Sequence, residues 1–383
     1  MKQYKKKILR IISSLNPEYG GPPAAIVDST IALNRIGFKV DIVTHDNKES
    51  QFVKIKNTTI HNMGPSLLGD YNLNFKFTKW LIQNRSKYDL FIVHGLWQFN
   101  TLAARLFLKK KYYVFVHGQL DPSYKKFFFN KIKKFIYWNL IEKKNLKDSK
   151  FILLTNKKEK DLLNDTYVNT KGLKKKVVDY GILEPKYDTS KVKKIFYKKF
   201  KSLKDKDFYI YLGRFHNKKG CEIIMNAVKY FSLRKKPINV LMCGSNNIYK
   251  KYLQKISKDL NIEKNIIWSN FLKNDIKLGA LLSSKAMLLP SYGENFGVAL
   301  VEAMACGIPV LTTNKVNIYN YIIENNAGYI SSPNNVNFIK IINKFENLKK
   351  SNITQLKKNA YRCFKNNFLL SKKIKILAEY ING

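Results

Sequence analysis

Acidic residues are scarce in this chain. Against 70 lysines and arginines its 383 residues set only 27 aspartates and glutamates, for a formal net charge of +43 at pH 7. Cysteine is scarce too. Cys221, Cys243, Cys306 and Cys363 are far apart and form no C-x-x-C pair, which argues against a zinc site and a disulfide scaffold and fits a reducing cytoplasm. No apolar run approaches the ~18 residues of a membrane-spanning helix. The opening "MKQYKKKILRIISSLNP" mimics a signal peptide, but Arg10 interrupts its apolar stretch and Asn16-Pro17 ends it, so a buried first strand is expected instead. No segment repeats with a period of about 20 to 50 residues, which argues against a solenoid.

Apolar residues are plentiful, at 45% with 13% aromatic. That suffices for two buried cores, and the length exceeds what one core usually serves. The positive charge has two readings. It can be compositional, since Lys, Asn, Ile, Tyr and Phe are all abundant, or it can attract anions such as phosphorylated substrates, an acidic membrane face or nucleic acid.

Short apolar runs alternate with helical patterns. "ILRIISSL", "FKVDIVT", "DLFIVH", "YYVFVH" and "FILLT" read as strands, and "GGPPAAIVDSTIALNRIG" as a loop and helix. The rhythm lapses over residues 184–205, which are polar and basic, and restarts with "FYIYLG", "INVLMCG", "NIIWSN", "AMLLP" and "IPVLTT". Strand–helix alternation predicts an α/β chain of two parallel sheets with that lapse as the boundary. The last stretch, "LKKNAYRCFKNNFLLSKKIKILAEYI", reads as helical. Sites in such sheets form at the carboxyl ends of the strands.

Two of the scarce glutamates, Glu294 and Glu302, stand eight residues apart in the otherwise apolar "SYGENFGVALVEAMACG" of residues 291–307. "AMLLP" is the strand before it and Gly307 closes the helix after it. Eight residues are a little over two helical turns, so Glu302 projects roughly to the side where Glu294 enters. The N–H groups around Phe296, Gly297 and Val298 begin that helix, a place that attracts phosphate. Spacing alone leaves open a partly exposed surface Glu302. In "YIYLGRFHNKKGCEIIMNAV", Arg214 follows a strand tip and Lys219 precedes a helix. The pair can converge on a diphosphate, although a lone lysine pair means little in so basic a chain, and Lys218 reads as solvated. Gly20-Gly21 lies between the first strand and helix. His94 and His117 end strands, and a packed role is as consistent as a ligand role. Asp121 reads as a turn residue before Pro122. The D-x-D of Asp205 and Asp207 precedes a strand, the wrong end for holding a nucleotide-bound metal. In "SYKKFFFNKIKKFIYWNLIEKKNLKDSK", Phe128, Ile132, Phe135 and Asn139 share a helical face, which is either core-facing or a membrane-surface stripe.

"PSYGENFGVALVEAMACGIPV" resembles the E-x7-E signature of glycosyltransferase family 4, retaining sugar-nucleotide enzymes of the GT-B fold. "GRFHNKKG" resembles the family's G-R-x-x…K-G element. The resemblance is strongest over about residues 207–330. It implies two Rossmann-like domains facing each other across a cleft. Residues 1–184 would bind the acceptor, residues 205–355 the donor, and a helix at about 360–383 would pack back on the first domain. It implies that Glu294 holds the donor sugar and Glu302 the nucleotide ribose, with Asn295, Phe296, Gly297 and Val298 around them. Arg214 and Lys219 would neutralise the pyrophosphate, Gly20 and Gly21 would let backbone approach it, and His117 would face the sugar. The catalytic set is then His117, Glu294, Arg214 and Lys219, with no metal and no cofactor beyond the nucleotide-sugar co-substrate. The acceptor would be a glycan or lipid-linked, in cell-surface polysaccharide or lipopolysaccharide synthesis. The protein would be cytoplasmic, with peripheral contact at the anionic inner face of the cytoplasmic membrane. A sugar-nucleotide epimerase on a similar fold is the alternative enzyme. A nucleic-acid-binding protein is disfavoured, because no zinc finger, RNP or heptad pattern accompanies the charge.

Overall fold

The structure, a computed structural model, describes residues 4–122, 128–166 and 168–382, and of residues 128–131 the backbone alone. It divides into two units, Met1–Leu183 with Leu370–Gly383, and Glu184–Leu369.

The first unit is built on seven parallel strands: β1 Lys7–Ile11, β2 Lys39–Thr44, β3 Ile60–Asn62, β4 Leu90–His94, β5 Tyr112–Phe115, β6 Ile152–Leu154 and β7 Lys175–Val177. Their order is β3-β2-β1-β4-β5-β6-β7. Side chains alternate between the faces of each strand. Leu9, Ile11, Phe91, Val93, Tyr112 and Val114 fill a core on one face. Ile8, Leu90, Ile92, Tyr113 and Phe115 fill the other, together with Ala32 and Leu33 of the helix Gly21–Arg35 and Leu370, Ile374 and Leu377 of the helix Leu370–Asn382. The Tyr113 hydroxyl donates to the Tyr380 carbonyl at 2.6 Å and ties that last helix to the sheet.

The second unit has six parallel strands: β8 Phe208–Leu212, β9 Asn239–Cys243, β10 Ile266–Ser269, β11 Met287–Leu289, β12 Val310–Thr313 and β13 Gly328–Ser331. They run β10-β9-β8-β11-β12-β13. In both sheets the chain winds outward one way and then reverses, at β1/β4 and at β8/β11. The strand ends at such a reversal diverge and leave a crevice for a ligand.

Two stretches differ from expectation. Residues 184–205 hold a helix, Thr189–Lys199, capped by the Asp188 side chain. It crosses the helix Asn274–Ser283 so closely that a Cβ on Gly279 would lie 2.2 Å from the Val192 carbonyl oxygen. Only Val192 and Phe196 are buried from it, too thin an apolar stripe to register amid its lysines. The second unit accordingly spans 184–369, wider than 205–355. The final helical stretch is also two helices, Lys350–Asn367 in the second unit and Leu370–Asn382 in the first.

Candidate active site

In the second unit the loops after β8 and β11 lie side by side. The Lys218 carbonyl accepts the Tyr292 N–H at 2.8 Å and the Ser291 hydroxyl at 2.9 Å. The approach is closest at Gly220, where φ is +67° and an added Cβ would sit 2.1 Å from the Pro290 carbonyl oxygen. Only glycine fits that contact. The Glu294 backbone is held from the other side. Its N–H donates to the Lys315 carbonyl and its carbonyl accepts the Asn317 N–H, both at 2.9 Å. Glu294 is thereby fixed between the loops that follow β8 and β12.

The side chains respond to that scaffold. The Lys219 ammonium bonds the Glu294 carboxylate directly, and both are mostly buried, at 18% and 16% exposure. Glu302 lies on the helix Val298–Ala305, which Gly297 enters with φ +72°. Its carboxylate accepts a hydrogen bond from Lys277 Nζ at 2.7 Å. Arg214 follows Gly213 at the β8 tip and is exposed. Its carbonyl accepts the Tyr211 hydroxyl at 2.8 Å, while its guanidinium makes no hydrogen bond among the described residues. Asn295 accepts from Asn317 Nδ2 at 3.3 Å. Phe296 is buried edge-on against Phe368, and Val298 is the first helical residue. Partial burial and then the cations of Arg214, Lys218 and Lys219 hold the His216 imidazole below its usual pKa. Its Nδ1 accepts the Lys218 N–H at 3.1 Å and caps the short turn Asn217–Lys219. The Lys219–Glu294 pair and the Lys277–Glu302 pair are each mostly buried, and such carboxylates and cations suit hydroxyl groups and phosphate respectively.

Sequence reasoning passed over His216 and Lys277. His216 had a signal, a histidine at a strand tip. Lys277 had none, being one among 70 basic residues.

In the first unit, Gly20 (φ +98°) precedes the helix that opens Gly21-Pro22-Pro23. His117 follows β5 with φ +49°, a left-handed conformation uncommon outside glycine. Its Nε2 bonds His94 Nδ1 at 3.0 Å and its Nδ1 bonds the Tyr180 hydroxyl at 2.9 Å. Both ring nitrogens are engaged within the unit, and burial first, then the Arg10 charge, push its pKa down to about 3. Asp121 closes a turn through its N–H to the Gly118 carbonyl at 3.0 Å. Asp207 stands before β8, at the end of the sheet opposite Arg214, with its side chain largely in solvent.

The helix Phe128–Tyr137 exposes Ile132, Phe135 and Ile136, and Leu140 beyond it is exposed as well. The Phe128 side chain lies outside the described residues. On the inner side a π-type turn, Trp138–Glu142, buries Glu142 completely. The carboxylate accepts from Thr101 at 3.0 Å and Asn145 at 3.2 Å, and burial raises its pKa to about 7. Among the described residues no helix is long and apolar enough to cross a membrane, and no three His, Cys, Asp or Glu side chains group to hold a metal ion.

Comparison with known proteins places this geometry in context. Residues 192–362 match the family described as Glycosyl transferases group 1. A protein in the cps region of Klebsiella pneumoniae is 25% identical over 33% of each chain, so the chain spans about a third of that relative's length. The 2-deoxystreptamine N-acetyl-D-glucosaminyltransferase of Niallia circulans is 23% identical over 68% of each chain. Among solved structures, Anabaena Alr3699/HepE in complex with UDP-glucose superposes with TM-score 0.75 at 16% identity, over 98% of this chain and 99% of that one. The fold is that of the GT-B glycosyltransferases, as the two sheets and their strand orders indicate.

Proposed function

On the premise that residues 192–362 are a Glycosyl transferases group 1 segment, we propose that this protein transfers a sugar, with retention, from a nucleotide diphosphate to an acceptor hydroxyl. The observation that carries the reading is the meeting of Lys219 and Glu294 at the β8/β11 reversal, with Glu302 on the helix that follows. The bond from the sugar's anomeric carbon to the β-phosphate oxygen breaks, and a bond from that carbon to the acceptor oxygen forms on the same face. The acceptor's proton passes to the departing phosphate. Negative charge gathers on that phosphate, and Arg214, Lys219 and the helix start at Gly297 and Val298 stabilise it. Glu294 accepts the sugar's hydroxyls and Glu302 those of the ribose, with Asn295 and Phe296 completing the donor pocket. Gly20, Gly21 and His117 are kept as donor contacts on the strength of the family resemblance. No step calls for a metal.

The acceptor is assigned to the first unit and is a glycan or a lipid-linked glycan of cell-surface polysaccharide synthesis. The relative from a cps region and the exposed stripe Ile132, Phe135, Ile136 and Leu140 support that choice. The stripe and the surplus of lysine suit peripheral contact with the anionic inner face of the cytoplasmic membrane.

A thermal-shift screen against sugar nucleotides tests the reading. A ligand at ~100 times its Kd adds about 2.7 kcal/mol to the native state, enough for a clear rise in Tm. One nucleotide sugar is expected to raise Tm and to be consumed only when an acceptor is supplied. Isomerisation of the donor without an acceptor points to an epimerase, and a flat screen overturns the reading.

A further inference from the structure

The parallel register and the alternation of strand side chains put three polar residues on one face of the first sheet. Arg10 pairs across to Ile92, and His94 lies two residues beyond Ile92. His94 pairs with Phe115, and His117 lies two residues beyond Phe115. Arg10, His94 and His117 therefore extend the apolar face that carries Ile92 and Phe115. Arg10 is fully buried and His94 is 2% exposed. The His94 and His117 rings are inclined by only 23° with centroids 5.2 Å apart, the side-by-side geometry of an in-plane hydrogen bond. Phe115 packs on His94, His117 and Tyr180 with centroids 5.3 to 5.4 Å away and holds the ring planes.

Among the described residues Arg10 has no carboxylate partner. Its Nη1 donates to the Ile26 carbonyl at 3.1 Å and to Ser29 Oγ at 2.6 Å, and its Nε and Nη2 are buried without an acceptor. His94 Nε2 is likewise buried without a partner among the described residues. The guanidinium charge acts on His94, His117 and Tyr180, and Glu159 acts on Tyr180 from the helix Lys157–Leu162. Buried polar groups are costly without complementary partners. A proton on His94 Nε2 would add another unpaired donor beside an unpaired cation. A bare Nε2 instead offers that cation a lone pair through one buried water.

We propose that Arg10 is a positioning residue for His117, ordering the protons along a relay. His94 carries its proton on Nδ1 and donates to His117 Nε2, and His117 carries its proton on Nδ1 and donates to the Tyr180 oxygen. One buried charge on β1 thus sets the tautomer of a histidine two strands away. His117 is then a fixed neutral strut, with neither ring nitrogen left to act as a general base. The bearing on catalysis rests on the glycosyl-transfer reading, whereas the relay itself does not.

The chain holds five histidines, so the full-length protein labelled with 15N-histidine gives a spectrum simple enough to assign by single substitutions. His94 and His117 are both expected as Nδ1–H tautomers that stay neutral from pH 8 to pH 6. Finding either ring protonated on Nε2, or charged in that range, overturns the proposal. Arg10→Lys should preserve the order, and Arg10→Met should switch a tautomer or let a ring titrate between about pH 5 and 7. An unchanged spectrum in a folded Arg10→Met also overturns it. Should Arg10→Met fail to fold, Tyr180→Phe decides. The order survives if Arg10 sets it and reverses if Tyr180 sets it by donating to Nδ1. A flat donor screen alongside ordered rings would sink the glycosyl-transfer reading alone.

Discussion

The Lys219 ammonium and the Glu294 carboxylate, 75 residues apart in sequence, bond each other at the reversal of the second sheet. In the proposed donor complex these two side chains hold different parts of one ligand, the phosphate and the sugar. Each therefore occupies the other's binding capacity until the donor arrives.

That relationship makes a counterintuitive prediction. Glu294→Gln frees Lys219, so a nucleoside diphosphate without its sugar should bind more tightly. The gain is at least about 1 kcal/mol, roughly fivefold, the upper worth of an exposed pair, since this one is mostly buried. Transfer from the intact donor should fall by about 100-fold in the same variant. Calorimetric titration with the diphosphate checks the first half. Weaker diphosphate binding in Glu294→Gln would show that the pair is not a competitor.

Lys277 is expected to act through Glu302. Losing a charge-assisted hydrogen bond costs about 1.5 to 3 kcal/mol, so Lys277→Met should raise the donor KM by about 10- to 150-fold with kcat nearly unchanged, and Lys277→Arg should recover much of it. Glu302→Ala should raise the donor KM as well. A fall in kcat with KM constant would place Lys277 elsewhere in the mechanism.

Gly220 and Gly172 separate backbone strain from steric conflict. Both have positive φ, but an added Cβ at Gly172 meets nothing within 4 Å, whereas at Gly220 it would meet the Pro290 carbonyl oxygen. Gly172→Ala should cost about 1 to 2 kcal/mol. Gly220→Ala should cost more than about 3 kcal/mol and loosen the two loops. Chemical denaturation, with hydrogen exchange at Tyr292, reads both effects. Equal losses at the two sites would deny the close loop contact.

The pH dependence follows from the buried titrating groups. All five histidines, His45, His61, His94, His117 and His216, have pKa values lowered below 6.5, with burial as the largest cause in each. The unfolded chain takes up protons that the folded chain refuses, so stability is lost as pH falls below about 6.5. For the enclosed pair His94 and His117 the loss approaches about 1.4 kcal/mol per pH unit each. Glu142 works in the opposite direction. Its pKa is raised to about 7, so the folded state holds the proton more firmly, and stability is gained as pH falls from about 7 towards 4.5. Thermal unfolding from pH 8 to pH 5 should show a net loss on the acid side, steeper in Glu142→Gln. A flat profile would contradict the burial of the histidines.

The exposed apolar stripe of the first unit predicts membrane contact. The protein should float with anionic vesicles at low salt and lose most binding in Phe135→Ser/Leu140→Ser, with the donor KM unchanged. Absence of flotation at low salt would remove this surface from the function.

Much of the architecture was legible in the amino-acid order because it rests on local physics. The apolar runs of four to six residues became the strands, and the glycines at 20, 220 and 297 mark left-handed or tightly packed turns that bear no side chain. That Arg10, His94 and His117 share one face was not legible, because it depends on the register that pairs Arg10 with Ile92 and His94 with Phe115. What escaped was sparse or long-range. The helix Thr189–Lys199 has only two buried side chains, and the break at Phe368 depends on the chain passing from one unit to the other.

The sequence by itself determined two parallel α/β units and the identity of the residues at their strand tips, since hydrophobic periodicity and backbone permissiveness are properties of neighbouring residues. Only the tertiary structure decided which charges meet. Lys219 found Glu294, Lys277 found Glu302, and His117 was enclosed by His94 and Tyr180. In a chain with 70 basic side chains, composition cannot select a partner. The selection comes from where the sheets deliver their loops, because the worth of an ion pair or a buried hydrogen bond depends on distance and burial, and no linear pattern encodes either.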